Sequence, residues 1–351
     1  MRIDRLGAAI GADVGEGDPT QALWNRSRRG IAVNLKDKRG VDLVRKLCAS
    51  ADALIEGYRP GLMERLGLGP NVLIGDNRKL VYARMTGWAQ DGPYAQMAGH
   101  DINYIAVSGA LHGIGHKDGK PVPPLNLVGD FGGGGMMLAF GILAAILNAR
   151  RTGEGQVVDC AMTEGSAMLM AMIYGIHAQG RWDDRRGVNF IDSGAHFYDT
   201  YETADGKFMA VGAIEAPFYR TFLELLGLND VLEAKSQHNV AAWDRQRERI
   251  AARFKERTRA EWCAVFEGQD ACVAPVLSLT EAPQHPHNVS REAFVEIAGA
   301  LQPAPAPRFS RSKSERPHAF ESGSGVTTAL LEGASIAPDE IERLRREGVV
   351  A

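Results

Sequence analysis

A chain of 351 residues is long enough for two domains, or for one domain with a large insertion, and we take two domains as the working count. Hydrophobic residues make up 45% of the chain and charged residues 24%, which is typical of a soluble globular protein and excludes a disordered or fibrous one. The formal net charge of -3 gives no sign of a nucleic-acid-binding surface, so no nucleic-acid partner is expected.

Three further features bear on location. The first 19 residues, MRIDRLGAAIGADVGEGDP, lack the basic start, apolar run and cleavage site of a secretory signal. The most apolar stretch, Met136 to Leu147, is too short to cross a bilayer and contains Gly141, so we expect a buried helix and no membrane segment. The scattered cysteines show no CxxC spacing, which argues against a zinc site and against a disulfide framework. The sequence therefore predicts a cytoplasmic protein without a metal site.

In the first half of the chain, short apolar runs alternate with helical patterns, which is typical of a parallel sheet with crossover helices. The predicted strands cover residues 31–35, 53–56 and 80–85. A helix is predicted over residues 38–51. The third strand ends at Gly87, where the carboxyl end of a parallel strand commonly opens onto a ligand crevice, so we predict a binding edge at Arg84 to Trp88.

The segment VGDFGGGGMMLAFGILAAILNARR predicts a glycine loop that enters a long buried helix. Arg150, Arg151 and Gly153 are signals of the helix C-terminus. A strand over residues 156–159 and an apolar helix over 164–178 are predicted next.

From Tyr198 the pattern changes, because YDTYETADGKFMAVGAI alternates in polarity around an Ala-Asp-Gly turn and predicts a β-hairpin. The later run QPAPAPRFSRSKSERP is rich in Pro and Ser and predicts an extended linker, and the last helical pattern, over 339–347, is a polar tail. The predicted division is a large domain over 1–180, a linker over 181–197, a small domain over 198–285, a linker over 286–318 and a tail over 319–351.

Three polar residues stand at sharp breaks in apolar segments: His100 in AGHDINY, Asp130 in NLVGDFGGGG and Glu215 in VGAIEAPFY. A histidine and two carboxylates are a sufficient set for general acid and base catalysis, because their surroundings can shift their protonation in opposite directions. Each also has a plainer interpretation, as a hydrogen-bonded histidine, a turn or capping aspartate, and a glutamate that opens a helix.

The glycine run after Asp130 lacks the Lys-Ser/Thr ending of a P-loop and does not match GxGxxG. It is either a flexible turn or a place of close backbone approach, with Gly132 and Gly133 offering amide donors near a bound carbonyl. The chain has no GxSxG, which excludes the serine-hydrolase interpretation.

Six blocks resemble, in order and spacing, the alpha-methylacyl-CoA racemases of the class III CoA-transferase superfamily: GYRPGLMERLGLGP, ARMTGWAQDGP, GHDINYIAVSGALHGIG, PPLNLVGDFGGGG, GEGQVVDCAM and VGAIEAPFY. The resemblance runs from about Arg2 to Pro307. It implies an α/β fold in which a Rossmann-like large domain with a parallel sheet binds CoA and a smaller α+β domain follows. It further implies an interlocked homodimer, with the active site between the large domain of one subunit and the small domain of the other.

By position, His100 and Asp130 match the family's two acid/base residues, and Glu215 matches the small-domain carboxylate that pairs with the histidine. The implied activity is that of an isomerase, a racemase of 2-methylacyl-CoA thioesters that transfers the proton at the alpha carbon through an enolate. CoA is part of the acyl-CoA substrate, and no other cofactor is needed. The alternatives are a class III CoA transferase with a covalent aspartyl-CoA intermediate and a non-catalytic CoA-binding relic.

Further residues are predicted to contact CoA or the substrate, from their crevice positions and from the resemblance. These are Arg2, Arg5, Tyr58, Arg59, Arg65, Arg84, Thr86, Gly87, Asp101 and Tyr104. For any single arginine in this set, an ordinary surface charge remains the alternative.

The chain departs from the family at its start, which resembles the family's second strand without the strand, glycine turn and helix that precede it. The loss of that unit is expected to leave a sheet edge and an apolar face uncovered. The residues after Pro317 show little resemblance.

Overall fold

The structure is a computed structural model, and it describes residues 1–7, 23–229 and 234–351. Residues 8–19 of the N-terminal segment, in which the sequence predicts no secretory signal, therefore lie outside the described residues. Two compact units are built from discontinuous segments: Met1–Thr86, Leu138–Asp159 and Leu279–Ala351 form the first unit, and Gly87–Met137 and Cys160–Ser278 form the second. This differs from the predicted linear division, because segments far apart in sequence pack together in each unit.

The strands alternate with helices through the first half of the chain, as the sequence predicted. In chain order they are β1 (Arg2–Arg5), β2 (Gly30–Val33), β3 (Ala53–Glu56), β4 (Val81–Thr86), β5 (Val157–Ala161), β6 (Tyr198–Glu202), β7 (Phe208–Gly212), β8 (Val273–Pro275), β9 (Phe294–Ile297) and β10 (Ala300–Pro303).

The α-helices vary from single turns to long elements. In chain order they are α1 (Lys38–Cys48), α2 (Leu62–Arg65), α3 (Pro70–Asp76), α4 (Asp101–Val107), α5 (Ala110–Gly113), α6 (Met137–Thr152), α7 (Met162–Leu169), α8 (Ala171–Ala178), α9 (Ala216–Leu226), α10 (Trp243–Phe254), α11 (Arg259–Phe266), α12 (Pro286–Ser290), α13 (Ser324–Gly333) and α14 (Pro338–Arg346).

The sheets confirm the predicted α/β class. β1 pairs with β2 in parallel, and β3 pairs with β4 in parallel within a sheet of order β3-β4-β5. The predicted hairpin is confirmed as the antiparallel pair β6 and β7, to which β8 adds a third strand. β9 and β10 form a separate antiparallel pair.

The sequence of helix α1 determines where the helix begins and which of its faces packs in the core of the first unit. Its cap, Asp37, accepts a hydrogen bond from the backbone N of Arg39 at 2.9 Å, and its apolar face buries Leu43, Val44 and Leu47 in one cluster with the strand residue Ile31. Each such fully buried aliphatic side chain contributes roughly 1.5–3 kcal/mol, so this face fixes the helix on the strand.

The C-terminal residues belong to the same cluster, and the predicted polar tail is therefore a misreading of a packed element. Ile341 and Leu344 of α14 are buried beside Val349 and Val350, and Ala32 of β2 exchanges backbone hydrogen bonds with Ala351 at 3.4 and 3.1 Å. The many charges of α14 face away from two apolar positions three residues apart. Strand β2 thus pairs with β1 and with the end of the chain.

The glycine run is helical, which corrects the predicted loop. A π-helix spans Leu127–Met136 and continues directly into α6. A Cβ on Gly133 would lie 2.5 Å from the backbone N of Ser166, and a Cβ on Gly165 would lie 1.9 Å from the carbonyl O of Gly133. Because a Cβ cannot be accommodated at either position, the π-helix and α7 approach each other backbone to backbone.

The continuous helix Leu127–Thr152 is longer and less buried than the sequence suggested. Its 26 residues are long and apolar enough to cross a membrane, by length and composition alone. The expected buried helix is not observed, because α6 buries only Leu138, Ala145 and Ala149. The exposed fractions are 69% for Met136, 74% for Phe140, 63% for Leu143 and 69% for Leu147, which lie on one helical stripe.

The second unit has an aromatic core, to which β6, α9, α10 and α11 contribute. Tyr201 stacks on Phe254 with ring centroids 5.3 Å apart, and Trp262 packs edge-on against Phe254 at 5.2 Å. His196 is wholly buried in this core, and its Nε2 lies 2.7 Å from the hydroxyl O of Tyr219. Burial, together with the charges of Arg247 and His238, lowers the pKa of His196 to about 3.

Candidate active site

His100 immediately precedes α4 and has extended backbone angles, with φ −133° and ψ 175°. Its backbone N donates to Oδ1 of Asn103 at 3.0 Å, and the backbone N of Asn103 donates to the carbonyl O of His100 at 2.8 Å. These reciprocal bonds satisfy backbone groups at the start of the helix. The side chain of His100 is exposed and therefore accessible to a substrate.

Tyr104, one turn into α4, braces the loop before His100. Its ring packs edge-on against Trp88 at 4.9 Å, and its hydroxyl donates to the carbonyl O of Gly99. A Cβ on Gly87 would lie 2.0 Å from the Tyr104 ring, and a Cβ on Gly99 would lie 2.7 Å from it. Both positions therefore require glycine. Burial raises the pKa of Tyr104, and the nearby charge of Asp130 adds to that effect.

Asp130 lies in the first turn of the π-helix, where its side chain is half-buried. Its Oδ2 accepts a hydrogen bond from Nδ2 of Asn126 at 3.1 Å. Two residues on, a Cβ on Gly132 would lie 2.9 Å from Cδ1 of Leu169, and Gly133 is buried against α7. The glycines thus let the helix that carries Asp130 pack closely, and their role as donors to an enolate oxygen stays a prediction.

Asp101 ties the two candidate acid/base segments together. Its buried carboxylate accepts hydrogen bonds at Oδ2 from the backbone N of Gly129 at 2.7 Å and of Asp130 at 2.8 Å. The approach is so close that a Cβ on Gly129 would lie 2.5 Å from this same Oδ2. The backbone that carries His100 is therefore held directly against the backbone that carries Asp130. The sequence marked Asp101 for substrate contact and missed this internal contact, which joins residues 28 and 29 positions apart.

Glu215 stands at the cap position of α9, followed by Pro217 in the first turn. Its side chain is exposed and makes no capping hydrogen bond. Within the part of the chain that the structure describes, no hydrogen bond or ion pair joins Glu215 to His100. The charge of Glu215 is felt at Cys272, whose pKa is raised mainly by burial and further by Glu215 and Asp270.

The strand-end candidates of the first unit fall into two groups, and the first is internally paired. Arg84 is buried at the end of β4, where its Nε lies 3.2 Å from Oε1 of Glu56 and its Nη2 contacts Glu64. Glu56 also accepts a hydrogen bond from the backbone N of Tyr58 at 2.8 Å. Burial raises the pKa of Glu56, while the bond from Tyr58 and the charge of Arg84 lower it. A phosphate would have to compete with both carboxylates for Arg84.

Arg2 is also paired within the protein, because it forms an ion pair with Asp4 at 2.9 Å and donates to Oδ1 of Asn25 at 2.9 Å. Thr86 is buried. The second group has exposed side chains and consists of Arg5, Tyr58, Arg59 and Arg65. These four side chains are the ones most accessible to a ligand, and CoA binding by all the candidates stays a prediction.

Comparison with known proteins identifies the family. The sequence model of CoA-transferase family III matches residues 10–324. The chain belongs to CoA-transferase family III.

Two relatives and two solved structures are similar to this chain. It is 43% identical to alpha-methylacyl-CoA racemase of Mus musculus over 100% of this chain and 90% of the mouse protein. It is 30% identical to succinyl-CoA:glutarate CoA-transferase of Mus musculus over 93% of this chain and 76% of that protein. The crystal structure of Rv3272 from M. tuberculosis superposes with a TM-score of 0.75 at 22% identity, covering 94% of this chain and 90% of that one. A CAIB/BAIF family protein from Brucella suis superposes with a TM-score of 0.71 at 24% identity, covering 84% and 78%. The structural neighbours therefore share the predicted α/β fold.

Proposed function

We propose that this protein is an isomerase that epimerises 2-methylacyl-CoA thioesters by moving the proton at the alpha carbon through an enolate. The observation that carries the proposal is the contact through Asp101, which holds the segments of His100 and Asp130 together. The greater identity to racemases than to CoA-transferases of the family supports the same activity.

The chemistry explains why two such residues are needed. The proton beside a thioester carbonyl is weakly acidic, so its removal near neutral pH requires a placed base and a stabilised enolate oxygen. In the proposed reaction, His100 removes the proton from one face of the alpha carbon, and protonated Asp130 delivers a proton to the other face. For the opposite epimer the two residues exchange roles.

Glu215 is proposed to orient His100 and to favour its charged form, with the two residues supplied by different subunits of a homodimer. Two observations support an intersubunit pair. Glu215 is not bonded to His100 within the described part of one chain, and α6 leaves an exposed stripe of apolar side chains, larger than isolated surface residues would give. A second copy of the chain is the proposed cover for that stripe.

CoA itself is proposed to be held by exposed side chains of the first unit, with Arg59 and Arg65 as phosphate-binding cations and Tyr58 beside them. We propose no cofactor besides the CoA of the substrate. Removing a proton from the alpha carbon with one side chain and returning a proton from another involves no change of oxidation state. A cytoplasmic location is proposed from the cysteines, which are scattered along the chain without CxxC spacing.

CoA transfer is the second candidate, because transferases are also among the relatives. In that reaction Asp130 would form a covalent intermediate, and His100 would have little use. One experiment separates the two activities. The purified protein is incubated with a 2-methylacyl-CoA in heavy water, with hydroxylamine present to trap any aspartyl intermediate. Racemisation predicts deuterium at C2 starting from either epimer. A trapped acyl-enzyme without deuterium at C2 would show instead that the protein is a CoA transferase.

A further inference from the structure

We infer that Asp101 is a positioning residue, whose carboxylate fixes Asp130 relative to His100 so that a proton removed from one face of the substrate is replaced on the other. This inference rests on the proposed racemisation. Asp101 acts through the backbone of Asp130, and it need not contact the substrate itself.

The geometry of the contact supports this role. One carboxylate oxygen binds two consecutive backbone amides, those of Gly129 and Asp130, at 2.7 and 2.8 Å. Charge-assisted hydrogen bonds of this kind are about twice as strong as neutral ones, and they are directional. Asp101 is also the residue next to His100, so its position is tied covalently to one proposed base and by hydrogen bonds to the backbone of the other.

The surroundings of Asp101 also support this role. Its other oxygen, Oδ1, is buried and has no hydrogen-bond partner among the residues that the structure describes. Burying a carboxylate oxygen without a hydrogen-bond partner lowers the stability of the fold. If Asp101 served only to anchor a loop, that loss of stability would bring no benefit. The absence of a side chain at residue 129 belongs to the same arrangement, because a Cβ there would lie 2.8 Å from Cγ of Asp101.

A specific kinetic consequence follows. If the anchor is lost, the segment with Asp130 moves while His100, which has its own bonds to Asn103, keeps its place. His100 then still removes the proton and returns a solvent deuteron to the same face, but delivery to the opposite face fails. Exchange with retention of configuration should therefore survive the loss of inversion. Misplacing a reacting group by about 1 Å costs on the order of a hundredfold in rate, which sets the size of the effect.

The test uses the full-length protein and a 2-methylacyl-CoA of each epimer in heavy water. Two rates are measured by mass spectrometry after chiral separation, namely C2 deuteration of the recovered epimer and formation of the opposite epimer. For Asp101→Ala we expect inversion to fall about a hundredfold, and exchange with retention to fall much less for the epimer that presents its proton to His100. Asp101→Asn keeps an oxygen acceptor for the two amides and should recover much of the inversion. Gly129→Ala should reproduce the Asp101→Ala ratio.

Asp192 provides a matched control. Its carboxylate also anchors a loop, by accepting from the backbone N of Gly187, Asn189 and Gly194 at 2.9, 2.7 and 3.1 Å. Asp192→Ala should lower stability and leave the ratio of exchange to inversion unchanged. Equal falls in both rates for Asp101→Ala and for Gly129→Ala would overturn the positioning role. If the wild-type protein itself catalyses neither exchange nor inversion, the proposed function fails instead, and the two failures are distinguishable.

Discussion

Two histidines of the second unit lie in opposite surroundings. His100 is exposed at the start of α4, and its backbone N and carbonyl O are both hydrogen-bonded to Asn103. His196 is wholly buried, with its ring nitrogen at hydrogen-bond distance from Tyr219 and aromatic rings around it. The imidazole of His100 is therefore accessible while its backbone is held in place. The imidazole of His196 is instead part of the packed core. Substitutions in the two regions should therefore separate activity from stability.

The largest effect on stability is expected in the aromatic core. Trp262 is fully buried, and its indole N donates to the carbonyl O of Phe254 at 2.9 Å. Trp262→Ala should lower the free energy of unfolding by about 3–5 kcal/mol, since it removes a large side chain and leaves a cavity. Urea denaturation followed by circular dichroism measures this loss. Trp262→Phe is the matched control and should cost less. A Trp262→Ala protein of unchanged stability would contradict the division between the regions.

The buried histidine should make the second unit sensitive to acid. The unfolded chain binds a proton at His196 near its ordinary pKa of 6.5, while the folded chain resists protonation down to a pKa of about 3. Stability is therefore full above pH 6.5 and falls as the pH drops below it, by at most about 1.4 kcal/mol per pH unit.

Denaturation midpoints between pH 7 and pH 4.5 measure this slope. His196→Gln should flatten it, whereas His100→Gln keeps His196 and should keep the slope. An unchanged slope in His196→Gln would show that other groups dominate acid sensitivity.

A smaller effect is expected from Glu215, which we propose acts on His100 from the other subunit. Glu215→Gln should lower turnover by about tenfold, because the imidazole remains but is less well oriented. Turnover of both epimers measures the loss, and Glu267→Gln, which changes another exposed glutamate of the second unit, is the control. Light scattering reports whether the active species is a dimer. A fully active monomer would remove the intersubunit pair from the account.

Local pattern was enough to predict much of the fold. The strand at Ala53–Glu56 and the helix that begins at Lys38 follow from apolar periodicity, and the hairpin of β6 and β7 follows from its Asp-Gly turn. These elements depend on residues that are neighbours in sequence, so the sequence contains their signals. The positions of His100, Asp130 and Glu215 at the starts of helical segments were likewise marked by breaks in apolar runs.

Long-range packing accounts for the rest. From the sequence alone, the glycine run was predicted to be a loop. In the structure it is helical, because Gly165, some 30 residues later, packs against Gly133. From the sequence, Asp101 was predicted to contact the substrate. In the structure its carboxylate accepts hydrogen bonds from the backbone amides of Gly129 and Asp130, which no local sequence pattern connects to it. The burial of Ile341 and Leu344 had a local signal in their spacing, which the surrounding charges obscured.

We propose that His100 and Asp130 act on opposite faces of one carbon. The most direct measurement is C2 deuteration and inversion of each epimer in heavy water by the wild-type protein, by His100→Ala and by Asp130→Asn. We expect each substitution to suppress inversion by at least about a hundredfold, while denaturation midpoints stay close to that of the wild type, and each to leave exchange of a different epimer. Undiminished inversion in either variant, or a loss of CoA transfer in Asp130→Asn alone without any C2 label in the wild type, would contradict the two-base account.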